Sequence, residues 1–75
     1  MMLLTDLRIG ESAKVVALNN PKKIKERLNN IGLTKGVTLT LVRVAPLGDP
    51  IQIKLRDFYL AIRLSDANKI QVEKL

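Results

Sequence analysis

Residue types that perform chemistry are scarce in this 75-residue sequence. It contains no cysteine and no histidine, so it lacks thiolate ligands, the commonest metal ligand and the commonest general base. The only serines, Ser12 and Ser65, therefore have no base to activate them as nucleophiles. We expect no enzyme activity, no catalytic residue and no cofactor.

Acidic residues, the remaining candidates for metal ligands, are spread singly along the chain. They lie at Asp6, Glu11, Glu26, Asp49, Asp57, Asp66 and Glu73. Calcium loops and other hard-metal sites need several oxygen ligands at short spacing, and no segment of this chain has that pattern. We predict no metal site.

Positive charge is the most evident feature of the composition. The formal net charge is +6, and Lys22, Lys25 and Arg27 lie within six positions of one another. A cluster of this kind is either a solvated helix face or an electrostatic docking surface for an acidic partner. Nucleic-acid binding would favour aromatic stacking platforms as well, and only Tyr59 is available for that role.

The segment Ala45–Pro50 is predicted to be an ordered, exposed loop, because two prolines and a glycine interrupt an alternating pattern. It is either a rigid turn or a binding loop, and the apolar Leu47 at its tip favours binding. The partner-binding residues that we predict combine this loop with the basic cluster: Pro46, Leu47, Gly48, Asp49, Pro50, Lys22, Lys25 and Arg27.

One segment has the periodicity of a helix, from Pro21 to Ile31. Asn20 is the predicted N-cap and Gly32 the predicted stop. Between these limits Ile24, Leu28 and Ile31 fall on one face and charged residues on the other, which predicts an amphipathic surface helix.

Alternation of apolar and polar residues predicts about five β-strands in the rest of the chain. They lie at Ala13–Leu18, Val37 to about Val44, Ile51–Leu55, Phe58–Ile62 and around Ile70 to Val72. Thr34-Lys35-Gly36 is predicted to be the turn that leads into the second of these strands. Arg56-Asp57 forms a tight hairpin, and a turn is expected at Ser65–Asn68. The predicted core residues are Val15, Ile24, Leu28, Leu39, Leu41, Ile53, Phe58, Leu60, Ile62, Ile70 and Val72.

Five short strands with a helix between the first two indicate a small SH3-like barrel, mainly β with one helix. An OB-type barrel is the alternative, but it normally needs more than 75 residues. The length predicts one domain over residues 1–75. The longest apolar run is five residues, Phe58 to Ile62, far short of the roughly 20 needed to span a membrane.

Several segments resemble the FeoA family when taken together. They are Leu4-Thr5-Asp6-Leu7 through Gly10, Arg27–Gly36, Ala45–Ile51, Ala61-Ile62-Arg63, Asp66-Ala67 and Ile70–Val72, and they cover nearly the whole chain. The most specific are R-L-x-x-[IL]-G-L-x-x-G and A-P-L-G-D-P. FeoA proteins are small SH3-like cytoplasmic domains of bacterial ferrous iron uptake, which implies a partner in the membrane GTPase-transporter FeoB.

The resulting hypothesis is a non-catalytic cytoplasmic adaptor that binds the cytoplasmic region of FeoB and modulates its activity. Through that partner it would lie at the inner membrane without spanning it. The alternative is a small basic nucleic-acid-binding barrel, although no nucleic acid is expected as the partner. A homo-oligomer is left open, because SH3-like barrels have exposed strand edges that can pair.

Overall fold

A computed structural model describes residues 1–75 and confirms that the protein is mainly β. A short 3₁₀ turn at Leu4–Asp6 follows the first strand. The elements, in chain order, are β1 (Met2–Leu3), β2 (Ser12–Leu18), α1 (Lys22–Asn30), β3 (Thr38–Val44), β4 (Ile51–Leu55), β5 (Phe58–Ile62), α2 (Leu64–Ala67) and β6 (Ile70–Lys74).

The six strands form one antiparallel sheet in the order β1-β6-β2-β3-β4-β5. Register shifts interrupt the ladders between Val15 and Ala17 and between Leu41 and Arg43. Irregularities of this kind bend a strand and increase its twist, which lets a short sheet curl around its core. No helix has the length and hydrophobicity required to cross a membrane.

Two elements depart from the sequence prediction. The sixth strand is β1, whose two residues are too few to show alternation and which pairs with β6 through Met2 and Val72. The turn predicted at Ser65–Asn68 is instead the short helix α2, whose Asn68 N–H donates to the carbonyl of Leu64 at 2.9 Å.

Helix α1 begins one residue later and ends one residue earlier than predicted, and its N-cap is Pro21. The prediction that Asn20 caps the helix is wrong. Asn20 is 8% exposed, and its Nδ2 donates to the carbonyl oxygen of Asp66 at 2.9 Å, so it joins the start of α1 to α2. Gly32 ends the helix as expected, with φ of +99°.

Sixteen buried apolar residues make up the core, and eight of them were predicted. Ile24 and Leu60 are half-buried and pack against this core. The residues that sequence reasoning missed are Leu4, Leu7, Ala13, Leu18, Leu33, Ile51, Leu55 and Ala67.

Phe58 was predicted to be buried, but its side chain is 42% exposed. It begins β5, the strand at one edge of the sheet, so no further strand covers it on that side. Its ring lies over Gly32, where a Cβ atom would be 3.7 Å from Cζ of Phe58. The end of α1, rather than the barrel interior, is therefore the neighbour of this aromatic ring.

Candidate functional site

The loop between β3 and β4 is held in shape by its own backbone. Gly48 N–H donates to the carbonyl of Ala45 at 2.7 Å, and Ala45 N–H donates to the carbonyl of Pro50 at 3.0 Å. Gly48 has φ of +90°, a conformation that glycine adopts without steric cost. The Asp49–Pro50 peptide bond is cis.

Leu47 at the tip of this loop is 97% exposed, as the sequence predicted. Pro46, Asp49 and Pro50 are exposed too, and Gly48 is half-buried. Asp49 also anchors the loop, because its Oδ1 accepts a hydrogen bond from the N–H of Leu64 at 3.0 Å. The loop thus presents an apolar side chain to solvent from a base that is hydrogen-bonded to itself and to α2.

The predicted basic residues are all exposed on α1. Lys22 and Lys25 are three positions apart and share one side of the helix. Arg27 is five positions from Lys22, which places it about 140° further around the helix axis. Lys25 also lines a groove of about 490 Å³ between α1 and β2, together with Asn29 and Lys35. Two of the three cations therefore share a face, and the third does not.

No hydrogen bond or ion pair joins the loop to these cations. The loop and α1 are instead linked indirectly, through α2. The carbonyl oxygen of Asp66 in α2 accepts a hydrogen bond from Asn20 at the start of α1, and the N–H of Leu64 in α2 donates one to Asp49 in the loop. The start of α1 and the loop are thus attached to the same short helix.

A second exposed region lies at the other end of β4, and sequence reasoning missed it. An open groove of about 690 Å³ runs between the α1–β3 connection and the β4–β5 hairpin. Lys54, Arg56 and Phe58 contribute a mixed cationic and aromatic lining. The signal in the sequence that could have revealed this region is the two-residue hairpin turn, because it places Arg56 and Phe58 where β4 ends and β5 begins.

Arg56 has φ of +49° and is the only residue other than glycine with positive φ. This left-handed conformation favours glycine or asparagine, because a Cβ atom crowds the following carbonyl oxygen. Lys54 adopts a cross-strand position opposite Tyr59, and its Nζ lies 5.9 Å from the centre of the Tyr59 ring. This distance is within reach of a cation–π interaction.

Only one ion pair forms in the structure, between Lys74 Nζ and Glu11 Oε2. The hydrogen bond from Lys74, with a second from the backbone N–H of Arg8, lowers the pKa of the Glu11 carboxyl below its ordinary value. The other cations therefore face solvent without a carboxylate partner. No group of three or more acidic side chains lies close enough together to hold a metal ion.

The curled antiparallel sheet, with one amphipathic helix and an exposed hairpin loop, defines a small β-barrel protein. Its family is shown by comparison: the chain matches the FeoA domain over residues 2–74 and belongs to the FeoA family. The resemblance given by the sequence motifs is thereby confirmed.

A curated relative is the Fe(2+) transport protein A/Fe(2+) transporter FeoB fusion protein of Porphyromonas gingivalis. It is 35% identical over 72 residues, which are 96% of this chain. The chain spans only 8% of the length of that fusion protein. In this relative, a region similar to the present chain and a transporter are parts of one polypeptide.

Two solved structures show the same fold. The solution structure of the FeoA protein from Chlorobium tepidum superposes with a TM-score of 0.94 at 35% identity, over 99% of this chain and 70% of that one. The Stenotrophomonas maltophilia FeoA, solved with zinc, gives a TM-score of 0.84 at 27% identity over 97% and 91%. It is described as a prokaryotic SH3 domain protein and a candidate activating factor for ferrous iron transport. The SH3-like architecture is thus confirmed.

Proposed function

We propose that this protein is a non-catalytic cytoplasmic adaptor of ferrous iron transport, which binds the cytoplasmic region of the FeoB transporter and modulates its activity. The observation that carries the proposal is the Porphyromonas gingivalis relative, in which FeoA and FeoB sequences are fused. Fusion keeps two domains at a high effective concentration, which benefits domains that act on one another.

We assign the central contact with FeoB to the loop between β3 and β4. An exposed leucine on a hydrogen-bonded loop is preorganised, so little conformational entropy is lost when it is buried against a partner. Apolar anchors of this kind carry most of the binding energy at protein interfaces. We assign Leu47 this role, with Pro46, Gly48, Asp49 and Pro50 shaping the loop around it.

The cations on α1 support a different part of the interaction. Lys22 and Lys25 lie on the same exposed face of α1 and form no ion pair with an acidic side chain. Arg27 adds positive charge on a different face of the helix. Charges at the rim of an interface mainly accelerate association with an acidic surface and contribute less to the lifetime of the complex. We therefore assign these residues to steering.

The experiment that tests the proposal is calorimetric titration of this protein into the purified cytoplasmic region of FeoB from the same organism. We expect a stoichiometric complex that persists when NaCl is raised to about 0.2 M, because its centre is apolar. GTP hydrolysis by that region, measured with and without this protein, then gives the sign of the modulation. Absence of a complex at any salt concentration would contradict the proposal.

The nucleic-acid alternative rests on the net charge of +6. It is separated by the same titration with a single-stranded and a double-stranded oligonucleotide in place of FeoB. Affinity for nucleic acid that falls log-linearly and steeply with salt, with no FeoB complex, would favour the alternative. Lys25→Glu provides a further distinction, since it should slow association with FeoB and leave dissociation nearly unchanged.

A further inference from the structure

Strand β5 has one paired side and one free side. It pairs only with β4, in a register that joins Leu55 to Phe58, Ile53 to Leu60 and Ile51 to Ile62. Since a two-residue turn links Leu55 and Phe58, these pairs exchange the ladder hydrogen bonds. The N–H and C=O groups of Tyr59 and Ala61 consequently point away from β4, and no hydrogen bond outside the ladders reaches them. We call these two residues the free edge.

The free edge is open to solvent, and strand β5 itself contributes none of the usual protection. Ala61 is exposed, and Tyr59 is 58% exposed. Strand β5 contains no proline and no charged residue, and its ladder with β4 has no bulge. Natural proteins normally block an exposed edge by one of these means. The opposite edge strand of the sheet, β1, has only two residues, so it offers fewer backbone groups for pairing with another strand.

Cationic residues outnumber acidic ones in the hairpin that carries the free edge. The β4–β5 hairpin and the residue after it carry Lys54, Arg56 and Arg63, against one acid, Asp57. The ammonium of Lys54 lies over the ring of Tyr59, so it reaches from β4 toward the free edge. Neither Lys54 nor Arg56 has a carboxylate partner. Pairing with a second copy of the chain would bring these like charges together, whereas an acidic strand would neutralise them.

The groove described above reaches strand β5 at Phe58, next to Tyr59 of the free edge. Phe58, the first residue of β5, lines the groove with Lys54 and Arg56. An extended segment that follows the free edge toward the hairpin therefore arrives at an aromatic side chain, 42% exposed, flanked by two cations.

From these observations we propose that the free edge of β5 and the adjoining groove bind an extended acidic peptide segment of another protein, which joins the sheet as a seventh strand. The main-chain groups of Tyr59 and Ala61 supply backbone hydrogen bonds, as in other cases of strand addition. Lys54 and Arg56 select acidic side chains, and Phe58 receives an apolar one. The groove lies at the opposite end of β4 from the Leu47 loop, and none of the proposed contact residues belongs to that loop, so the proposal does not depend on FeoB binding.

The test begins with selection from a displayed library of random twelve-residue peptides on the 75-residue protein. The affinity of the enriched peptides is then measured by fluorescence anisotropy, and their position is mapped by amide hydrogen exchange. We expect peptides in which acidic and apolar residues alternate. We also expect the amides of Tyr59 and Ala61 to become protected from exchange when the peptide binds.

Three variants make the test specific. Ala61→Pro removes a donor from the free edge and leaves the β4 ladder intact, because that N–H points outward. Lys54→Glu with Arg56→Glu reverses the local charge and keeps the backbone unchanged. Lys22→Glu with Lys23→Glu makes the same change of charge on α1 and is the matched control. We expect the first two variants to weaken binding at least about tenfold and the control less than about twofold.

Three outcomes would overturn the proposal. One is a library that yields no enriched peptide, and another is a set of peptides that leave Tyr59 and Ala61 unprotected. The third is a concentration-dependent dimer of the wild-type protein that Ala61→Pro abolishes, since the free edge would then belong to a second copy. If Ala61→Pro fails to fold by circular dichroism, the charge-reversal pair and its control still decide the question.

Discussion

Two side chains dock α1 on the barrel, and Leu28 is more deeply buried than the half-buried Ile24. Leu28 is 5% exposed and is the only buried residue of the helix, while Ile31 at its C-terminal end is 39% exposed. Leu28→Ala and Ile31→Ala each remove three carbon atoms, so the two variants form a matched pair. Their difference in stability measures how strongly burial, rather than helix propensity, stabilises α1.

We expect Leu28→Ala to cost about 2 to 5 kcal/mol of the free energy of unfolding, because the lost burial is combined with a cavity. A 75-residue chain at the usual stability per residue has about 4 to 11 kcal/mol in total. The variant therefore loses a large share of its stability. Ile31→Ala should cost about 1 kcal/mol or less, since much of its side chain is already in water.

Urea unfolding monitored by circular dichroism gives both values. With a slope near 1 kcal/mol per M urea, a loss of about 3 kcal/mol lowers the midpoint by about 3 M. Equal losses for the two variants would refute the described packing, as would a loss below about 1 kcal/mol for Leu28→Ala. Either result would mean that α1 does not contact the core through Leu28.

Further predictions concern a turn, an ion pair and iron. Gly32→Ala should lower stability by about 1 to 2 kcal/mol in the same urea assay, because φ is +99° at this position. Since the folded-state pKa of Glu11 is below its ordinary value of 4.5, the stability that Glu11 contributes is present above about pH 4.5 and is lost as the pH falls through the lower folded value. Glu11→Gln should therefore flatten the acid limb of the stability–pH profile, and an unchanged limb would exclude the ion pair as its cause. Anaerobic calorimetry with Fe²⁺ should detect no stoichiometric site of micromolar or tighter affinity, because single surface carboxylates cannot complete a coordination shell.

The elements that could be predicted from the sequence are those in which apolar and polar residues recur with a clear period. The bounds of β4 and β5 agree with the structure, because their alternation is uninterrupted on both sides of Arg56-Asp57. Helix α1 was placed to within one residue at each end, since Gly32 supplies a local stop signal. Local patterns of this kind are visible without knowledge of the tertiary structure.

Features that depend on tertiary contacts were not predictable in this way. Leu33 is fully buried although it lies in a connection, and Phe58 is exposed although it lies on the apolar side of its strand. Both outcomes follow from which strand lies at the edge of the sheet and how α1 ends. Asn20 was misassigned for a similar reason, because its partner, Asp66, is 46 residues away along the chain.

The features of the candidate site likewise separate into those set by local sequence and those set by tertiary contacts. Exposure of the Leu47 loop follows from two prolines and a glycine, which are local signals. The tie between Asp49 and Leu64, the groove beside Phe58 and the free edge of β5 all depend on strand order. That order is set by long-range pairing, which periodicity does not specify.

The most direct test of the proposed function is the affinity of Leu47→Asp for the cytoplasmic region of FeoB. Leu75→Asp is the matched control, because Leu75 is also exposed, at 71%, and receives the same change of charge. We predict that Leu47→Asp weakens binding at least about 30-fold, equivalent to about 2 kcal/mol, while its stability stays within about 0.5 kcal/mol of wild type. Unchanged affinity, or a loss of stability with binding per folded molecule intact, would contradict the assignment of Leu47 as the apolar anchor.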